Sequence, residues 1–166
     1  MSKRRSNKDQ RSVSGPLLCW DFFMETYHRR MRMGEDFQQL KTLAGEHNWN
    51  LSWEDISQRF MGQGKVIVVT DLSLKIIFAS GNMIEMSGYL PKEVLGRTPK
   101  IFQGKDTCEA TRAAIKQAVS ALQPFHVTLL NYKRNGISYD CEVEAFPVLN
   151  KEGKPVHFIA FESAAA

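Results

Sequence analysis

Apolar residues recur at helical spacing from the first structured stretch of the chain. Leu17, Trp20, Met24, Tyr27 and Met31 follow one another at alternating steps of three and four, a heptad-like stripe after Gly15-Pro16. Gly34 is expected to end that helix. A second stretch sets Phe37, Leu40 and Leu43 on one side, up to Gly45. A third, short helix is expected from Ser52, with Asp55 as its capping partner and Trp53, Ile56 and Phe60 on one face. Gly62 and Gly64 then interrupt the chain. Helices this short are marginal alone and need a surface to pack on. Residues 16–63 are therefore expected to be amphipathic helices that pack on a neighbouring layer or mediate dimerisation.

The period then changes. Residues 66–70 form a β-prone run, 71–73 a turn and 75–79 a second strand. Short helical pieces follow, punctuated by Gly81, Gly88, Pro91 and Gly96. Asp106 or Thr107 can cap a longer helix carrying Ala110, Ala114, Ile115, Ala118 and Leu122. The last third reads as three strands, 125–132, 137–149 and 156–162, with a hairpin signal at Asn135-Gly136 and a turn at 150–153. This order predicts an α+β fold: a five-stranded antiparallel sheet with helices on one face, preceded by N-terminal amphipathic helices.

Alternation along those strands puts polar residues on the covered side. Asn131 shares a face with Phe125, Val127 and Leu129. Cys141 shares one with Tyr139, Val143 and Ala145, and Glu162 one with Val156, Phe158 and Ala160. Asp140, Glu142 and Glu144 point the other way, toward a face expected to be solvated. A buried amide or carboxylate without a partner costs a few kcal/mol, about 2 or more, so these groups either satisfy one another or meet a ligand. The last strand is also apolar on its opposite face, at Ile159 and Phe161, so both its sides should be covered. The N-terminal helices are the natural cover. A route from pocket to outer sheet face to helices follows as an expectation.

Charge and cysteine content narrow the function. Lys3, Arg4, Arg5, Lys8 and Arg11 against Asp9 account for the whole net charge of +4, leaving the rest of the chain balanced. Residues 1–15 are expected to be a disordered, solvated basic tail, with nucleic acid an unlikely partner. The three cysteines, Cys19, Cys108 and Cys141, lack metal or redox spacing and read as free thiols. No apolar run reaches membrane-span length and no signal peptide is visible, which makes a cytoplasmic location the expectation. The four histidines are scattered, no nucleophile pairs with a base, and no glycine-rich phosphate loop is present, so no enzymatic activity is expected.

The motifs Val69-Thr70-Asp71, Ile77-Phe78-Ala79-Ser80, Glu85-Met86-Ser87-Gly88-Tyr89 and Glu93-Val94-Leu95-Gly96-Arg97 closely resemble the PAS sensory family. The likeness continues through Phe102-Gln103-Gly104, Asp106-Thr107, Leu130-Asn131-Tyr132, Gly136 and Phe158-Ile159. Within that family the chain is most similar to the light-oxygen-voltage (LOV) branch of flavin photoreceptors. The resemblance spans residues 66–162 in one register and implies a sensory domain over residues 64–166. It also implies a set of cofactor-binding positions. Gln103 and Asn131 match residues that hydrogen-bond flavin. Lys100 and Lys116 stand where that branch has phosphate-binding arginines, keeping charge but losing the bidentate fork. Thr98-Pro99-Lys100 replaces the Asn-Cys-Arg that carries the adduct-forming cysteine. Cys141 replaces an asparagine that grips the ring, and Glu162 the glutamine that senses its state.

The expected function is thus a sensory module in signal transduction. It binds a small ligand or a partner and relays a conformational signal through the sheet to flanking helices, with a homodimer or partner protein meeting those helices and the outer sheet face. Two alternatives stand beside it: a flavin mononucleotide (FMN) blue-light or redox sensor without cysteinyl adduct chemistry, and a thiol redox sensor using Cys108 or Cys141.

Overall fold

A computed structural model describes residues 16–165, with side chains from Trp20 onward; the basic tail lies outside the described residues. Five strands, β1 (Val66–Asp71), β2 (Ile76–Ala79), β3 (Phe125–Tyr132), β4 (Ser138–Leu149) and β5 (Pro155–Ala164), form one antiparallel sheet in the order β2-β1-β5-β4-β3. The first and last strands therefore meet in the middle of the sheet, with β5 between β1 and β4. Turn chemistry fixes the hairpins. Asp71 Oδ1 accepts from the backbone N–H of Ser73 and Lys75 at 2.9 and 2.8 Å, and Gly136 takes φ +85° between β3 and β4.

Each face of the sheet carries its own layer. On the inner face lie α3 (Met83–Ser87), α4 (Pro91–Val94), a 3-10 turn (Pro99–Phe102) and α5 (Glu109–Ser120). Val66 and Val68 of β1 pack there against Met83, Val94 and Phe102. On the outer face lie α1 (Pro16–Glu46), α2 (Trp53–Ser57) and a π turn (Gln58–Gly62) in which Gln63 N–H bonds Gln58 C=O at 3.0 Å. Ser52 Oγ caps α2 by accepting from Asp55 N–H at 3.4 Å, as expected. Leu40, Ile56 and Phe60 meet Ile67, Ile159 and Phe161 on this side. Burying each such side chain is worth about 1.5–3 kcal/mol, which outweighs the weak intrinsic stability of short helices. The N-terminal segment does cover the outer face of β5, as its two-sided apolar pattern requires.

Several expectations change. Gly34 does not stop the first helix: α1 runs unbroken to Glu46. A mid-helix glycine costs only about 1 kcal/mol, and the burial of Met33, Leu40 and Ala44 around it more than offsets that. The docked side of α1 is Met33, Phe37, Leu40 and Ala44, while Trp20, Tyr27 and Met31 of the expected stripe are exposed. Hydrogen bonds fasten the docked half. Asp36 Oδ2 of α1 accepts from Gly81 N–H at 2.7 Å, and just past the helix end Asn50 N–H donates to Leu149 C=O at 2.8 Å. Helix α5 begins after Cys108, because the hydroxyl of the buried Thr107 is already bonded to Leu130 C=O at 2.7 Å and Gly104 N–H at 2.9 Å. The outer face of β4 is only partly solvated. Glu144 forms ion pairs with Arg59 and Lys65, and Glu142 pairs with His126 at 2.8 Å.

Candidate functional site

Between the inner sheet face and α5 lies a cavity of about 610 Å³, within the roughly 300–1,000 Å³ range of small-molecule sites. Its existence is visible in α5 itself. A helix on a sheet ordinarily buries an apolar stripe, yet none of the residues of α5 is buried. Arg112, Ile115, Lys116 and Val119 line the cavity where they would otherwise close on the sheet.

Six of the seven candidate residues line this cavity. Asn131 and Glu162 project from β3 and β5, Thr98 and Lys100 come from the 3-10 turn and its start, Gln103 from its end, and Lys116 from α5. Cys141 does not. It is fully buried beneath the wall, with its Sγ 3.9 Å from Glu162 Oε2. Alternation assigned it the correct face, but its register with Leu129 and Ala164 places it in the packed end of that face. Both described cysteines are free, and neither lines the cavity.

The polar chemistry is concentrated and incompletely satisfied. Asn131 and Thr70 are buried, and Asn131 Oδ1 and Thr70 Oγ1 have no hydrogen-bond partner. Buried polar atoms in folded proteins are nearly always paired, so an orphaned amide oxygen and an orphaned hydroxyl on one cavity wall are free to bond a molecule placed there. Burial lifts the Glu162 carboxyl to about 7, opposed by its contact with the Cys141 thiol. Burial, and then the neighbouring Glu162, push the Cys141 thiol far above its ordinary range, which disfavours a reactive thiolate. Burial likewise raises Tyr139. Cys108 is exposed, and backbone N–H groups at the start of α5 lower its pKa.

Thr70 and Arg112 are lining residues that the sequence reading passed over. Thr70 follows Val66 and Val68 at period two, so alternation could have placed it inside. Arg112 sits one helical turn before Lys116, on the same side of α5. With Lys100 they give the cavity three cations on its helical side, alongside Glu109.

A five-stranded antiparallel sheet with a cavity under the helices of its inner face, and a second helical layer on its outer face, is the architecture of a small sensory domain. The PAS domain model matches residues 64–162, and the chain belongs to the PAS domain family. Curated proteins similar to it include a blue-light-activated histidine kinase of Brucella ovis (strain ATCC 25840 / 63/290 / NCTC 10512), 34% identical over 85 residues, covering 51% of this chain and 17% of the relative. Phototropin-2 of Oryza sativa subsp. japonica is 37% identical over 87 residues, covering 52% of this chain and 10% of the relative. The match thus spans less than a fifth of either relative's length. Among solved structures, the light state of the Aureochrome1 LOV photoreceptor aligns with TM-score 0.60 at 24% identity, over 65% of this chain and 88% of that one. The LOV domain of the Erythrobacter litoralis EL346 blue-light-activated histidine kinase aligns with TM-score 0.58 at 19% identity, over 61% and 96%. The domain is a PAS sensory module of the signal-transduction kind, LOV-like in sequence and fold.

Proposed function

We propose that the domain senses by holding a small, flat, hydrogen-bonding ligand non-covalently in the α5 cavity and relaying its state through β5 to the N-terminal helices. The carrying observation is the pair of orphaned polar atoms, Thr70 Oγ1 and Asn131 Oδ1, on the wall of a largely apolar chamber. A ring N–H satisfies Asn131 Oδ1, and a ring carbonyl satisfies the Thr70 hydroxyl, which donates as well as accepts. An anionic arm suits Lys100, Arg112 and Lys116 at the helical side.

FMN has this chemistry, and the blue-light proteins to which the chain is similar make it the first ligand to test. The residues present fit it: Asn131 and Gln103 offer amides to the ring, and the three cations offer themselves to the phosphate. Because Pro99 lines the cavity and neither described cysteine does, the reading is of a flavin held without a thiol bond. The domain itself acts without catalysis. Its output leaves by way of α1, whose exposed Trp20, Tyr27 and Met31 offer a surface to a second copy or a partner protein.

Titration of the ligand-free chain with FMN tests the reading. Binding is expected to quench flavin fluorescence and give structured visible absorption, and Asn131→Ala is expected to weaken affinity about tenfold, the worth of one buried hydrogen bond. Free-flavin spectra at all protein concentrations would remove flavin as the ligand.

A further inference from the structure

Glu162 stands apart from the other charged residues of the cavity. It is buried and lines the chamber, yet among the described residues no ion pair reaches it. Its register neighbours are apolar, Val66 on β1 and Val143 on β4. Its polar contact is the Cys141 thiol, a weak donor at 3.9 Å. The titratable groups around it are Cys141 and Tyr139 from β4, Lys100 from the 3-10 turn, and Glu109, Arg112 and Lys116 from α5. The three cations serve the helical side without pairing with it. An ionised carboxylate in this position has neither a counter-charge nor a set of N–H donors, the two means by which buried carboxylates stay charged.

We infer that Glu162 meets the ligand as an un-ionised acid, donating its O–H to an acceptor atom of the bound ring. This rests on the ligand-binding reading above and adds a specificity to it. Asn131 Oδ1 accepts, Glu162 donates and the Thr70 hydroxyl does either, so the cavity selects a heterocycle that presents an N–H to Asn131 and a carbonyl or unprotonated ring nitrogen to β5. Occupancy is then linked to protons. The ligand is held while Glu162 keeps its hydrogen and is released as the carboxyl ionises, because the acid loses its only donor and sets a negative charge against the ligand's acceptor.

Two measurements on the full chain test this separately from the flavin assignment. The first needs no ligand: infrared spectra of wild type minus Glu162→Gln across a pH titration. A carbonyl band of an un-ionised carboxylic acid that persists to a midpoint near 7 supports the inference. Ionisation already complete at the ordinary carboxylate value of 4.5 overturns it. The second uses FMN as probe. Wild-type Kd is expected to rise about tenfold per pH unit above that midpoint, while Glu162→Gln, whose amide donates at every pH, stays flat over the same range. Parallel profiles for the two proteins overturn the inference. Absence of FMN binding to either protein together with a persistent acid band removes flavin and supports the acid's role toward another ring. Absence of binding together with an ionised Glu162 overturns both.

Discussion

The indole Nε1 of Trp49 donates a 3.0 Å hydrogen bond to Nδ1 of His157, joining the segment after α1 to the start of β5. Both residues are buried, and the His47 ring stands edge-on to His157 with centroids 4.5 Å apart. The bond requires an unprotonated Nδ1. Burial first, then the proximity of His47, lower the His157 pKa, with Asp71 opposing.

A histidine whose folded pKa lies below its unfolded one binds fewer protons in the native state, so the stability it lends is present above the ordinary value of 6.5 and fades as pH falls. Wild type is therefore expected to lose urea resistance as pH is lowered through and below 6.5. His157→Asn keeps an acceptor for the indole but cannot titrate there, and its midpoint should hold steadier over the same interval. Identical pH profiles for the two proteins would count against the bond as a titrating contact.

Arg59 binds the helical layer to the sheet in two ways and is braced within its own layer by a third contact. It bonds Asp55 through Nε at 3.0 Å, pairs with Glu144, and lies over the rings of Phe146 and Phe161 at 5.2 and 5.1 Å. A planar guanidinium suits all three at once, and an ammonium does not. Arg59→Ala is expected to cost about 1–3 kcal/mol and Arg59→Lys most of that. Chemical denaturation of the full chain measures both. Hydrogen exchange should show the loss first in α2 and the π turn.

Thr70 offers a trade between stability and binding. Its orphaned, buried hydroxyl contributes nothing to the ligand-free fold, so Thr70→Val should leave the free protein as stable or about 1 kcal/mol more so. The same change removes a hydrogen-bonding hydroxyl from the cavity wall and should weaken the bound state. Opposite signs in a melting experiment with and without FMN are the expected signature; a clear loss of stability in the free protein would mean that the hydroxyl has an internal partner.

Gly104 has a packing reason to be glycine. A Cβ built there falls 2.6 Å from Cδ2 of Tyr132, whose ring is pinned by its hydroxyl bond to Asp106 Oδ2, also 2.6 Å long. Gly104→Ala should cost about 1–3 kcal/mol through overpacking. Tyr132→Ala in the same background relieves the clash, so a double-mutant cycle should show strong coupling.

What could be read from the sequence followed the strands. Alternation placed Asn131, Glu162 and the apolar outer face of β5 correctly because a sheet residue has only two directions to point. It could not place Cys141, since period two gives a face and not a depth along it. The helical segment was read as broken at Gly34, because local propensity carries no information about the sheet surface that holds Met33, Leu40 and Ala44. The π turn has no distinct pattern of its own, and Glu144 looked solvent-facing because its partner Arg59 arrives from 85 residues away in sequence.

Strand β5 changes sides at each residue: Phe158, Ala160 and Glu162 border the chamber, while Ile159 and Phe161 carry the helical cover. The partition between the chamber and the helical cover is thus one strand thick. On the proposed reading, a message across it has no core to cross and no chain of intermediates to set in motion; a slight rotation of this single central ribbon, hemmed by β1 and β4, would reach both sides at once.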